Sequence, residues 1–208
     1  MGNLTSGCTK ANDVIVEMGG DEAGAVIAPA RAMRAFFHFI MMDCWGDAPI
    51  LDHKLAEGEQ IERSPRAEVA KFIEKELQEI IPQLTTEVNS NTYGKPTKWM
   101  AEALLAKLYI NWPVYTAQSV DQYDAATATN EKLNDCIALC DDIMESGKFN
   151  LGSMSYQKKF GPDNGYQVED FIYAMPYDTY NATGMQYGRA RTWKKAGDVD
   201  KSLSLIHI

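Results

Sequence analysis

The chain of 208 residues carries 29 Asp and Glu against 20 Lys and Arg, a formal charge of −9 that repels a phosphate backbone. No basic stripe offsets that charge, so nucleic acid is excluded as a partner. Its 45% hydrophobic and 24% charged residues suit one buried core or one and a half, and no apolar run approaches the ~20 residues needed for a membrane-spanning helix.

In chain order, Ala11, Val14, Ile15 and Met18 make the first helical stripe, closed by Gly19 and Gly20. Upstream, Thr5-Ser6-Gly7-Cys8 has the small residues that precede a lipid-modified cysteine. No apolar h-region stands before it, so the expectation is that this is not a signal peptide and that the natural amino terminus is missing. Residues 29–45, PARAMRAFFHFIMMDCW, open with proline at a tolerated first-turn position. Met33, Phe36, Phe37, Ile40, Met41 and Cys44 make that helix apolar nearly all round, which predicts a central one. The turn Gly46-Asp47-Ala48-Pro49 and a polar loop to Arg63 follow. Ser64 is then placed to cap a helix with Pro65 at its first position and a stripe of Val69, Phe72, Ile73, Leu77, Ile80, Ile81 and Leu84.

The most informative block runs from Gly94 to Tyr115. Ala101, Leu104, Leu105, Leu108 and Trp112 recur at helical spacing and must be buried. Within it Leu105-Ala106-x-x-Tyr109 fits the L-G-x-x-Y core of a tetratricopeptide helix, where a small residue lets the partner helix approach closely. Glu102 departs from that pattern, standing where the repeat usually carries a large apolar residue. Spacing makes Tyr109 and Trp112 packing residues and leaves Trp99 and Tyr115 open. The insertion from Thr116 to Thr129 is expected to be exposed, with Asp121 and Asp124 solvated rather than binding calcium. A last helix is capped by Asn130 and stopped by Gly147, with Cys136 and Cys140 on the same face as Leu133, Ile137, Ile143 and Met144. Beyond Phe149 periodicity fades, and only residues 170–177, DFIYAMPY, alternate like a short strand.

Cys8, Cys44, Cys136 and Cys140 match neither a C-x-x-C pair nor a disulfide framework and read as core residues. With only His38, His53 and His207, none of them adjacent, neither a metal site nor a cysteine–histidine arrangement is expected, and no cofactor. Among the carboxylates Asp43, Asp47, Asp52, Glu169, Asp170 and Asp178, no spacing singles out a glycosidase pair, so no catalytic residue is assigned.

The succession RAMRAFFHFIMMDCWGDAPI, SPRAEVAKFIEKELQEIIPQL, GKPTKWMAEALLAKLYINWPVY, CDDIMESGKFNL, YQKKFGPDN and EDFIYAMPYD resembles the SusD/RagB family in order and spacing, over about three quarters of the chain. The resemblance implies a mostly α fold of tetratricopeptide-like helix pairs, with a loop-rich C-terminal part and little strand. It implies non-catalytic capture of oligosaccharide, or in some members peptide, at the surface of a Bacteroidota outer membrane. The expected partner is a SusC-like TonB-dependent transporter, and the anchor is a lipid missing from this chain. Members run to about double this length, so an internal fragment is expected. Pro29 departs from the family, which tends to have an acidic residue just before this helix. Residues 1–150 then form the helical scaffold and 151–200 the ligand side. The tail 201–208, KSLSLIHI, reads as non-native, which leaves His207 without functional meaning.

Sugar rings lay apolar C–H faces on flat aromatic rings while their hydroxyls need fixed donors and acceptors. The stretch YDTYNATGMQYGRARTW supplies both without a helical stripe, and Tyr177, Tyr180, Asn181, Tyr187, Arg189 and Trp193 are the candidate ligand residues. The competing reading makes these aromatics a cover over the scaffold. A purely protein-binding helical scaffold is the other alternative, because contact with a transporter is itself recognition by a helical face. Apolar faces such as that of Ala11 to Met18 are expected to be exposed and to make the isolated chain poorly soluble.

Overall fold

A computed structural model describes residues 2–176 except 120, 122, 162 and 163, and leaves the side chain of Asp21 undescribed. Residues up to Ala174 form one compact unit. It is built from helices α1 (Gly2–Glu17), α2 (Ala28–Trp45), α3 (Arg66–Ile80), α4 (Lys98–Ile110), the short α5 (Trp112–Thr116) and α6 (Leu133–Glu145). Two-residue strands β1 (Ala48–Pro49) and β2 (Arg63–Ser64) pair antiparallel, Ala48 opposite Ser64. The mostly helical, tetratricopeptide-like expectation holds.

Helix α1 begins well upstream of its expected stripe and buries Cys8, Ala11, Asn12 and Ile15, one face at i, i+3, i+4 and i+7, against α2. Val14 and Met18, expected on that face, are exposed. With one neighbour the buried stripe is narrow, and Met18 lies past the helix end. A Cβ on Gly7 would stand 2.7 Å from the Phe37 ring, so glycine is what lets the two helices touch there.

Helix α2 packs between α1 and α3 and is central as expected, although its buried face differs from the expected one. Ala28, Ala32, Ala35, Phe39, Met41 and Met42 are buried together with Arg34 and His38. Met33, Phe36, Phe37 and Ile40 flank this face half-buried, and Cys44 is exposed. Close approach on two sides selects small residues at the contacts and pushes large ones to the flanks. The helix ends at Gly46, whose φ of 75° is in the left-handed region that glycine tolerates.

Ser64 does not cap α3. Pro65 holds the N-cap position without a side-chain bond, and Asp47 Oδ1 accepts from the Arg66 N–H at 2.9 Å instead. The β1–β2 pairing brings that turn alongside the helix start. Val69, Ala70, Ile73, Leu77 and Ile80 form the buried stripe, with Phe72 and Ile81 half-buried beside it.

Helix α4 is capped by Thr97, whose side chain accepts from Met100 N–H. Its stripe residues Ala101, Leu104, Leu105 and Leu108 are all buried, as are Trp99 and, in α5 after a break at Asn111, Trp112 and Tyr115. Ala106 does what the repeat motif requires, since Cys136 Sγ of α6 comes within 3.4 Å of its carbonyl oxygen. Asn130 satisfies the approach to α6 by accepting from Lys132 N–H and donating to Tyr109 O, and the regular helix begins at Leu133. The expected α6 face is only partly buried. Cys136 and Ile143 are covered, whereas Leu133, Ile137, Cys140 and Met144 are exposed, because among the described residues α6 packs chiefly on α4. Asp124, in the exposed 116–129 insertion, spends its carboxylate on Ala126 N–H and Thr127 Oγ1 of its own turn.

The segment 170–176 is not a strand. Phe171 N–H bonds back to Val168 O in a turn, and Lys159 holds the Asp170 carboxylate, so the backbone has no extended neighbour to pair with. Tyr173 packs edge-on to Phe36 and donates to Met33 Sδ, closing this segment onto α2. Tyr177 lies outside the described residues.

Candidate functional site

The candidate ligand residues Tyr177, Tyr180, Asn181, Tyr187, Arg189 and Trp193, and the tail 201–208, lie outside the described residues. Ile172 to Ala174 form one wall of a cleft of about 590 Å³ whose opposite wall is the 88–97 loop and whose floor includes Lys148 and Asn150. Asn89 shapes that loop, accepting from the N–H groups of Asn91 and Thr92. Tyr93, Lys95, Lys148 and Tyr166 line the cleft and make no side-chain hydrogen bond among the described residues, and Tyr166 is 63% exposed. Flat rings beside unspent donors match what a sugar needs.

Three other arrangements bear on chemistry. Contrary to the sequence expectation, a cysteine and a histidine do meet: Cys8 Sγ lies 3.5 Å from His38 Nδ1. The pair is inert. Leu51 N–H donates to His38 Nε2 at 2.9 Å, which leaves the proton on Nδ1 to bond Arg34 O at 2.8 Å. Burial pushes the Cys8 thiol up to about 12 and His38 down to about 4, so neither ionises near neutral pH.

Around His38 runs a buried network that sequence reasoning missed. Arg34 donates to Glu76 Oε2 at 2.6 and 3.0 Å, to Asn12 Oδ1 at 2.9 Å and to Asp52 O at 2.5 Å. Arg31 holds the other Glu76 oxygen, and Asn12 donates to Leu51 O and His53 O. Every polar group there is used to join α1, α2, α3 and the loop after β1. Its one sequence signal is Arg34 and His38 at i and i+4 in an otherwise apolar helix.

Glu102 and Asp142 are the pair whose environments push their carboxyls apart. Burial raises Glu102 to about 7, helped by its hydrogen bond to Asp142 and opposed by Lys98, while Lys98 lowers Asp142. Direct contact disqualifies them as a glycosidase pair, which needs carboxyls about 5 to 10 Å apart. Of the carboxylates weighed in the sequence, Asp43 accepts from Tyr115 Oη, Asp52 bonds His53 and Asp170 accepts from Lys159. Among the described residues no group of three His, Cys, Asp or Glu could hold a metal.

Residues 12–110 match the SusD-like family described as starch-binding and associating with the outer membrane. A SusD-like protein of Bacteroides ovatus is 30% identical over 112 residues, 49% of this chain and 20% of that one. Among solved structures, a SusD homolog from Bacteroides thetaiotaomicron superposes with a TM-score of 0.66 at 20% identity, covering 87% of this chain and 35% of that one. A SusD-like carbohydrate binding protein from Bacteroides fragilis gives 0.65 at 18% identity, covering 82% and 31%. The chain spans about a fifth of the curated relative and about a third of the solved ones, so these are longer than the doubling expected. Residues 12–110, just under half of the chain, thus resemble the SusD-like family, and the chain shares the fold of SusD-like structures.

Proposed function

We propose that this protein captures oligosaccharide at the outer cell surface without chemistry and hands it to a SusC-like TonB-dependent transporter. The observation that carries this reading is the match of residues 12–110 to a family described as starch-binding and associating with the outer membrane. The cleft lined by Tyr93, Tyr166, Lys95 and Lys148 supports it, because it combines open aromatic faces with unspent donors at the root of the 177–193 segment. In this reading Tyr177, Tyr180, Asn181, Tyr187, Arg189 and Trp193 complete the ligand side, and a lipid anchor holds the protein to the membrane. Peptide capture is the alternative within the same architecture.

A role in protein contact has its own support in the exposed apolar residues Leu133, Ile137 and Met144 of α6. The test is affinity electrophoresis and calorimetry of the full chain against a panel of polysaccharides and peptides, with reducing-end release followed in parallel. Saturable binding without product, weakened by Tyr187→Ala, Trp193→Ala or Tyr166→Ala, is the expected result. Released product would make the protein a hydrolase, and inertness toward the whole panel would leave the protein-contact role.

A further inference from the structure

Resting on the glycan-capture reading, we propose that a second cleft, beside Trp45, binds an acidic saccharide: a sugar ring bearing a carboxylate or sulfate. This cleft, of about 660 Å³, lies between the end of α2, the start of α3 and residues 116–119. Trp45 is 46% exposed there, at the end of a helix that covers its other aromatic rings more fully. An open indole offers the flat apolar surface that a sugar face stacks on.

The charge in the cleft gives the specificity. Arg63 donates to Asp47 O at 2.5 and 2.9 Å and to Trp45 O at 3.4 Å, and Arg66 Nε donates to Tyr115 O at 3.3 Å. Backbone carbonyls thus orient both guanidinium groups without neutralising them. Among the described residues neither forms an ion pair, whereas the other two described arginines, Arg31 and Arg34, are both paired with carboxylates. Fixed guanidinium forks with spare N–H groups are suited to carboxylate or sulfate oxygens. Among the described residues Asp47 is the one carboxylate lining the cleft, and its Oδ1 already accepts from Arg66 N–H, so that lining carries two positive charges to one negative. The chain's net charge of −9 opposes an anionic polymer only weakly at a distance, since salt screens charges beyond about 8 Å. Gln118 and Ser119 on the third wall offer partners for ring hydroxyls. Neutral glucans would leave the two guanidinium groups unused.

The experiment is affinity electrophoresis of the full chain in gels containing polygalacturonate, chondroitin sulfate or soluble starch. It uses the unmodified protein, Trp45→Ala and Arg63→Gln, each first shown to melt cooperatively. Arg63 is exposed and bonds only carbonyls, so its glutamine variant keeps the fold. Expected are retardation by at least one acidic polymer, binding about tenfold weaker in Arg63→Gln and in Trp45→Ala, and loss of binding with added salt. Binding of polygalacturonate would show that a carboxylate suffices, and binding of chondroitin sulfate without polygalacturonate would point to the sulfate, since chondroitin sulfate carries both groups. Binding of starch alone would overturn this proposal and leave the capture reading standing. Acidic-polymer binding indifferent to both substitutions would overturn it as well, and a well-folded chain that binds nothing would overturn both.

Discussion

The α1–α3 half and the α4–α6 half of the helical array treat their polar and apolar groups in opposite ways. In the first, α2 has a neighbour on each side, and the buried Asn12, Arg34, His38 and Glu76 all find partners. In the second, among the described residues, α6 packs chiefly on α4, the buried Glu102 carboxyl is set against that of Asp142, and Leu133, Ile137 and Met144 face outward. A helix with two neighbours can satisfy polar groups in its core, while one with a single neighbour can bury only one face.

The sharpest way to break the contrast is Arg34→Ala. It leaves the buried Glu76 carboxylate to Arg31 alone and strips Asn12 Oδ1 and Asp52 O of their donor, and should cost about 3 kcal/mol in urea denaturation. Arg34→Met paired with Glu76→Leu should recover part of that, because two charges then leave the core together while Arg31 keeps Glu79.

Next is the pH dependence of the α4–α6 contact. Glu102 binds its proton more tightly when folded, so its contribution is complete below its ordinary value of 4.5 and is lost as pH rises through about 7. Thermal melts from pH 4.5 to 8 should show this decline, at most on the order of 3 kcal/mol. Glu102→Leu, which restores the apolar residue usual in the repeat, should flatten it and raise the melting temperature most at pH 8. A decline unchanged in that variant would assign it to other groups.

Gly7→Ala should cost about 1 to 3 kcal/mol by driving a methyl into the Phe37 ring, and Phe37→Leu in the same chain should relieve part of it. Smallest of all, Ile137→Gln or Met144→Gln should change stability by less than about 0.5 kcal/mol while reducing self-association in sedimentation velocity. A loss of several kcal/mol there would mean that the α6 stripe is covered.

Much of the helical frame was legible in the residues. The stripe Ala101, Leu104, Leu105, Leu108 and Trp112 is buried throughout, and the Ala106 position meets its partner helix as the motif demands. Errors came where periodicity says that a face is apolar without saying whether anything covers it. Val14 and Met18 on α1 and Leu133, Ile137 and Met144 on α6 are of that kind. The same ambiguity misjudged Ser64, because the cap of α3 comes from Asp47, 19 residues before the N–H it satisfies. At the candidate sites, the aromatic loop was visible from composition. The exposure of Trp45 and the unpaired state of Arg63 and Arg66 were not, since both depend on what stands nearby in space.

Sequence by itself determined the helical class and the order of the helices and carried the likeness to SusD-like proteins, because apolar spacing and small residues act over a few turns of chain. Tertiary structure alone decided that Arg34, His38 and Glu76 form a closed network, that Cys8 is inert, and that Glu102 binds its proton more tightly than a free carboxylate. Those properties arise from desolvation and from partners up to 45 residues away, such as Glu76 for Arg31, and no local pattern encodes either.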